Sequence, residues 1–270
     1  MIWAGFLISL ASILVISKKN LAVALISGSL VLGLFTLPVT TILDRVLLTF
    51  TDSSIILLAL AVGVIPVIGG TMRDSGQIDS LVENLRLPKK HVLALSPALM
   101  GLLPIPGGAL LSAPVLEKAG EGVPGDILAA INNWFRHTLI MVYPLSAALI
   151  VSTQVAGLDI YHAILWLFPG FIVALFLGYI TFLRGIKGNL GYHGRFSIRG
   201  VLLPMMIILS APILDFVLKR ALALDSLATF CGVSVALILS IALSRKKLFL
   251  RKIVVRMKPW NFALIIIGMF

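Results

Sequence analysis

Two stretches of this chain carry most of the residues that could do chemistry. The first is "NNWFRH", which holds Asn132, Asn133, Trp134, Arg136 and His137. Arginine presents a planar fork of N–H donors that matches a carboxylate or a phosphate. Two amides beside it would extend such a site. Arg136 also precedes an apolar span, so a plainer reading stays open: a basic anchor at the membrane boundary, with Trp134 as an interfacial aromatic.

The second stretch is "LLPIPGGALLSAPVL", residues 102–116, where the chemistry belongs to the backbone. Pro104 and Pro106 end helices and lack an N–H. Gly107 and Gly108 permit a turn and let another group approach the main chain closely. Such irregular backbone is tolerated at membrane depth only where it is buried in protein or lines a watery cavity. Unpaired carbonyls and N–H groups there can hold an ion or a substrate. Tyr143–Pro144 then interrupts the next apolar run and frees a carbonyl one turn earlier. A broken hairpin followed by a broken helix is how transporters build mid-membrane sites. Proline-kinked spans are the alternative.

Other chemistries find little footing. The histidines, at 91, 137, 162 and 193, show no metal-ligand spacing. Cys231 is the single cysteine, so neither an intramolecular disulfide nor a cysteine metal cluster can form. No GxSxG, HExxH or paired intramembrane aspartate occurs, so an enzyme is not expected. Asp215 is the exceptional acid inside a span, and Lys219 at i+4 suggests a local ion pair at a helix end. So few acids disfavour a carboxylate proton relay. No cofactor is expected, although a coupling Na+ or H+ is compatible with the pattern.

The elements that must position these residues are membrane helices. The chain has 270 residues, 59% hydrophobic and only 12% charged, where soluble domains carry roughly a quarter charged residues. The net charge of +11 does not point to nucleic acid, because the basic residues sit in loops between apolar segments. The expected fold is an all-α polytopic membrane protein with about 7–8 transmembrane helices. Candidate spans are 2–17, 20–37, 54–72, 138–156, 160–183, 200–218 and 225–243. The apolar end, 260–270, rises only about 16 Å as a helix, roughly half a bilayer. Residues 77–85, with Ile78, Leu81, Val82 and Leu85 at helical spacing, read as an amphipathic surface helix supporting the hairpin.

Basic residues cluster at 18–19 and in loops 73–91, 184–199 and 245–258. The positive-inside rule puts these on the cytoplasmic face of the cell membrane, with the N-terminus outside. The halves of the chain agree only if 92–116 enters and leaves on one side. That favours a re-entrant hairpin with its tip at Pro104–Gly108.

"GGTMRDSGQIDSLVENL", "LLPIPGGALLSAPVLEKAG" and "NNWFRH…YPL" resemble a prokaryotic, largely archaeal, integral membrane family known only as a domain of unknown function. That family is grouped with the ion transporter superfamily of gluconate, citrate, dicarboxylate and arsenite permeases. The resemblance implies two inverted repeats, each contributing a re-entrant hairpin and a discontinuous helix. By carry-over, Pro104, Ile105, Pro106, Gly107, Gly108 and Ala109 form the first hairpin tip, and Tyr143 and Pro144 the helix break. The serine–asparagine–threonine tip of the dicarboxylate carriers is missing. The organisation implied is one membrane domain. Residues 1–156 form a first repeat with hairpin 92–116 and broken helix 126–156, and 160–270 start an apparently truncated second repeat. The function implied is secondary transport of a small organic anion by the chain or its N-terminal part; a membrane scaffold or assembly subunit is the alternative. Expected partners are the bilayer, the anion, and a second copy or a missing second half.

Overall fold

The computed structural model describes residues 2–102, 108–188, 190 and 196–270, and of 108–111 the backbone course alone. Among them every regular element is helical: α1 (Ile2–Ile16), α2 (Leu21–Thr36), α3 (Val39–Thr51), α4 (Ser53–Asp74), α5 (Gln77–Asn84), α6 (Lys89–Gly101) and α7 (Gly108–Ala119). There follow α8 (Gly125–Ile140), α9 (Ala147–Ala156), α10 (Ile160–Gly178) with a π-helical turn at Tyr179–Leu183, α11 (Ile198–Leu222), α12 (Ser226–Ala242), α13 (Leu250–Met257) and α14 (Pro259–Met269).

Polar side chains placed one residue before a helix set several starts. Asn20 accepts from the N–H groups of Ala22 and Val23, and Asp52 from those of Ser54 and Ile55. Asp159 does the same for Tyr161 and His162 at the head of α10. Each supplies an acceptor to donors that no helical turn precedes. Gly76 turns the chain from α4 into α5 with φ +77°, a left-handed conformation that glycine adopts without strain.

Helix α4 is the buried centre, contacted by α12, α14, α13 and α5. Glycine lets these neighbours come close. A Cβ at Gly70 would lie 2.7 Å from Ile253 Cγ2 of α13, and one at Gly232 of α12 would lie 2.6 Å from the Ala211 carbonyl oxygen of α11. Close backbone approach through small residues is how helices associate where lipid provides no hydrophobic drive. A buried hydroxyl pair, Thr71 Oγ1 to Ser240 Oγ at 2.6 Å, ties α4 to α12. Around α4 lies the main core, with Ile65, Met72, Ile207, Val233 and Met257. Leu93, Leu116, Ile131, Phe135 and Leu183 form a separate cluster among α6, α7, α8 and the end of α10.

Helices α4, α10 with its π turn, and α11 are each long and apolar enough to cross a membrane. Four shorter apolar helices are α1, α2, α9 and α12. Helix α10 leaves Trp166, Phe168 and Phe176 on its surface. Such apolar exposure is costly in water and costless in hydrocarbon; this is a membrane-embedded helical protein.

Two elements depart from the sequence reading. Residues 39–51, given no element there, form α3, whose exposed Val39, Leu43, Leu47 and Phe50 recur at helical spacing. The basic stretch 245–258, read as a loop, contains α13, whose Ile253 and Met257 are buried against α4. The first segment is too short for a span and carries Asp44 and Arg45, and the second has as many basic as apolar residues. Helical spacing still gathers the apolar side chains of α13 on one face.

Candidate functional site

Helices α6 and α7 are a pair of half-length helices packed on each other and on α8. Their outer ends lie side by side, where Lys89 Nζ donates to the Glu121 carbonyl oxygen at 2.6 Å. Helix α6 has 13 residues and α7 has 12, so each rises only about 18–20 Å, short of a hydrocarbon core of about 30 Å. Pro104, Ile105, Pro106 and Gly107 lie outside the described residues. Gly108 and Ala109 are the first residues of α7.

The inner end of α6 meets α8 at Gly101. A Cβ there would sit 2.6 Å from the Arg136 carbonyl oxygen, so glycine lets the two backbones touch. Asn132 and Arg136, four apart, share the face of α8 that is buried. Ser112 Oγ of α7 donates to Asn132 Oδ1 at 2.6 Å. Arg136 is 8% exposed, and its Nη2 donates to the Met100 carbonyl oxygen at a long 3.4 Å. Its Nη1 is buried and has no hydrogen-bond partner among the described residues, and neither has Ser96 Oγ one turn before Met100. No described acid forms an ion pair with this guanidinium. A charge taken out of water and left half-satisfied costs stability, and what it can do chemically is receive a planar anion.

The remaining expected site residues fall elsewhere. Asn133 is exposed, and its carbonyl accepts from His137 Nδ1 at 2.7 Å. Trp134 docks α8 on α10, its Nε1 donating to the Ala174 carbonyl at 3.0 Å. The anchor reading does not suit Arg136, whose side chain is inside. Between α8 and α9 the helix is interrupted at 141–146. Tyr143 there is buried in the main core, and Pro144 is half-buried. The break begins about one turn past Arg136.

A second polar centre lies around Asp215 in α11. Its carboxylate is 1% exposed. Lys219 Nζ sits 3.1 Å from Oδ1. The Thr229 hydroxyl of α12 donates to Oδ1 at 2.6 Å, and the Tyr161 hydroxyl of α10 donates to Oδ2 at 2.5 Å. The ion pair suggested by the i, i+4 spacing is present, but it is part of a three-helix network about two turns inside the helix end. Tyr161 and Thr229, 54 and 14 residues from Asp215, carry no sequence signal that marks them as its partners.

The sequence from residue 4 to residue 269 matches the family model described as Protein of unknown function (DUF401). The chain belongs to this family. No curated protein and no solved structure matches it. In this family member, then, the buried arginine at the α6–α8 contact and the three-helix carboxylate are the centres from which function must be argued.

Proposed function

We propose that the chain is a secondary transporter of small organic anions, or the N-terminal part of one, and that Arg136 receives the anion. The observation that carries the reading is the Arg136 guanidinium, buried with one nitrogen that has no partner among the described residues, beside the last turn of the half-length helix α6. With the outer ends of α6 and α7 at one membrane face, that last turn lies about 20 Å in, near mid-membrane. Discontinuous helices at that depth are how transporters present binding groups. The hairpin is then re-entrant and the helix break at 141–146 borders the site. About seven or eight spans complete the domain, with basic loops in the cytoplasm. The resemblance of its motifs to a family grouped with permeases of gluconate, citrate and dicarboxylates agrees with a carboxylate ligand.

Two measurements test this. The first uses purified protein in detergent and follows thermal unfolding with gluconate, citrate or succinate against chloride at matched ionic strength. One of these carboxylates raises the unfolding temperature of the wild type and not of Arg136→Gln; equal curves for both proteins with every anion refute the site. The second places a single cysteine at Glu121, with Cys231→Ser, and labels cells with a membrane-impermeant thiol reagent. Protection until the membrane is opened supports a re-entrant hairpin, and labelling from outside means that 92–116 crosses. A scaffold would bind none of the anions and would tolerate Arg136→Gln.

A further inference from the structure

The Asp215 carboxylate is itself enclosed, but two of its partners border a cleft. The cleft, of about 90 Å³, lies at the end of the bundle where α9 passes into α10 and α11 into α12. Two members of the Asp215 network, Lys219 and Thr229, line this cleft together with Asp159, Asp225, Thr153 and Ser226. Among the described partners of the carboxylate, Lys219 is the one able to leave. Its side chain is 22% exposed while that of Asp215 is 1% exposed, and it rests over the Tyr161 ring, 6.0 Å from the centroid. The other two partners are hydroxyls, and a hydroxyl that now donates to the carboxylate also has lone pairs to offer a cation. The Pro212 carbonyl oxygen lies 3.4 Å from the Tyr161 hydroxyl and adds a further oxygen. One carboxylate, two hydroxyls and a carbonyl are oxygen donors that suit a hard cation, and the single negative charge, now balanced by one ammonium, matches a monovalent one.

We infer that the Asp215 carboxylate is an exchange site for a monovalent metal cation of the sodium type, entered through this cleft, in which the cation replaces the tethered ammonium of Lys219. The charges facing the site suit the exchange. Asp159 and Asp225 line the cleft and draw cations toward it. Asp159 is partly engaged by Arg220 at 3.5 Å and His162 at 3.2 Å, and Asp225 is exposed. When a cation takes the carboxylate, the released ammonium turns into the cleft toward these acids. No proton is transferred and no bond is made or broken. The inference does not depend on Arg136 or on an organic anion.

Amine modification of Lys219, followed by mass spectrometry, tests it on the wild-type protein in detergent. Sodium chloride speeds modification of Lys219 several-fold over choline chloride at matched ionic strength, and Asp215→Asn abolishes the salt dependence. A modification rate equal in both salts overturns the proposal. A second variant guards against a folding defect in the first. Lys219→Met leaves the carboxylate without its cation, so its thermal stability is low in choline and restored by sodium, with an apparent affinity on the order of ten-fold tighter than in the wild type. Thr229→Val weakens that rescue. If Lys219→Met is as unstable in sodium as in choline, or recovers only on acidification, the carboxylate takes no metal cation and the proposal falls.

Discussion

Arg136 and Asp215 are both charges enclosed by helices, and the protein treats them in opposite ways. Asp215 has a partner on each of α10, α11 and α12, and two of the three contacts are 2.6 Å or shorter. Arg136 has one long bond to a carbonyl and one nitrogen with nothing to bond among the described residues. A fully partnered buried charge rigidifies its surroundings, whereas a half-satisfied one remains a standing cost. The contrast teaches where to seek a ligand that the fold alone does not replace. At Asp215 a side chain already fills the counter-ion's place, so a ligand must compete. At Arg136 the place is unfilled by any described side chain, so a ligand would relieve the cost.

The contrast can be broken by substitution, and the largest effect belongs to Lys219. Lys219→Met strands a buried carboxylate and lowers stability by about 3–5 kcal/mol. Thermal unfolding in detergent with choline as the only cation measures it, and a loss below about 1 kcal/mol would mean that water, not Lys219, balances Asp215. Gly232→Val comes next. Its new Cβ would meet the Ala211 carbonyl oxygen at 2.6 Å, which separates α11 from α12 and costs about 1–3 kcal/mol. Because that shift also moves Thr229 from Asp215, the variant should also weaken the sodium response.

Arg136→Gln should change stability with the opposite sign. Removing a poorly partnered buried charge raises the stability of the ligand-free protein by about 1–2 kcal/mol, while anion-dependent stabilisation is lost. A destabilisation of that size instead would show that Arg136 is satisfied, and the comparison with Asp215 would collapse. The smallest effect is that of Asn133→Ala. It removes an exposed side chain, shifts stability by less than about 0.5 kcal/mol and leaves anion binding unchanged. A loss of binding would extend the site to the other face of α8.

Some of this could be read along the chain. Apolar runs near bilayer length marked several helices, and acceptors at Asn20, Asp52 and Asp159 stand where the starts of α2, α4 and α10 are capped. Asn132 and Arg136 could be picked out because polar residues are rare among apolar ones, and their spacing of four places them on one face. The same rule separates Asn133, which composition alone had grouped with them. Asp215 and Lys219 were legible for the same reason, being one turn apart.

The sequence by itself determined that the chain is helical and belongs in a membrane, because both follow from local composition and from backbone hydrogen bonds closed within each segment. It also determined which few residues could carry a charge into that setting. Only the tertiary structure decided what those charges meet. Gly101 touches Arg136 across 35 positions and Tyr161 reaches Asp215 across 54. Such contacts depend on how helices cross, which is set by small residues and close packing at points that no local pattern specifies. A buried charge becomes a stable pair or an open site according to those crossings alone.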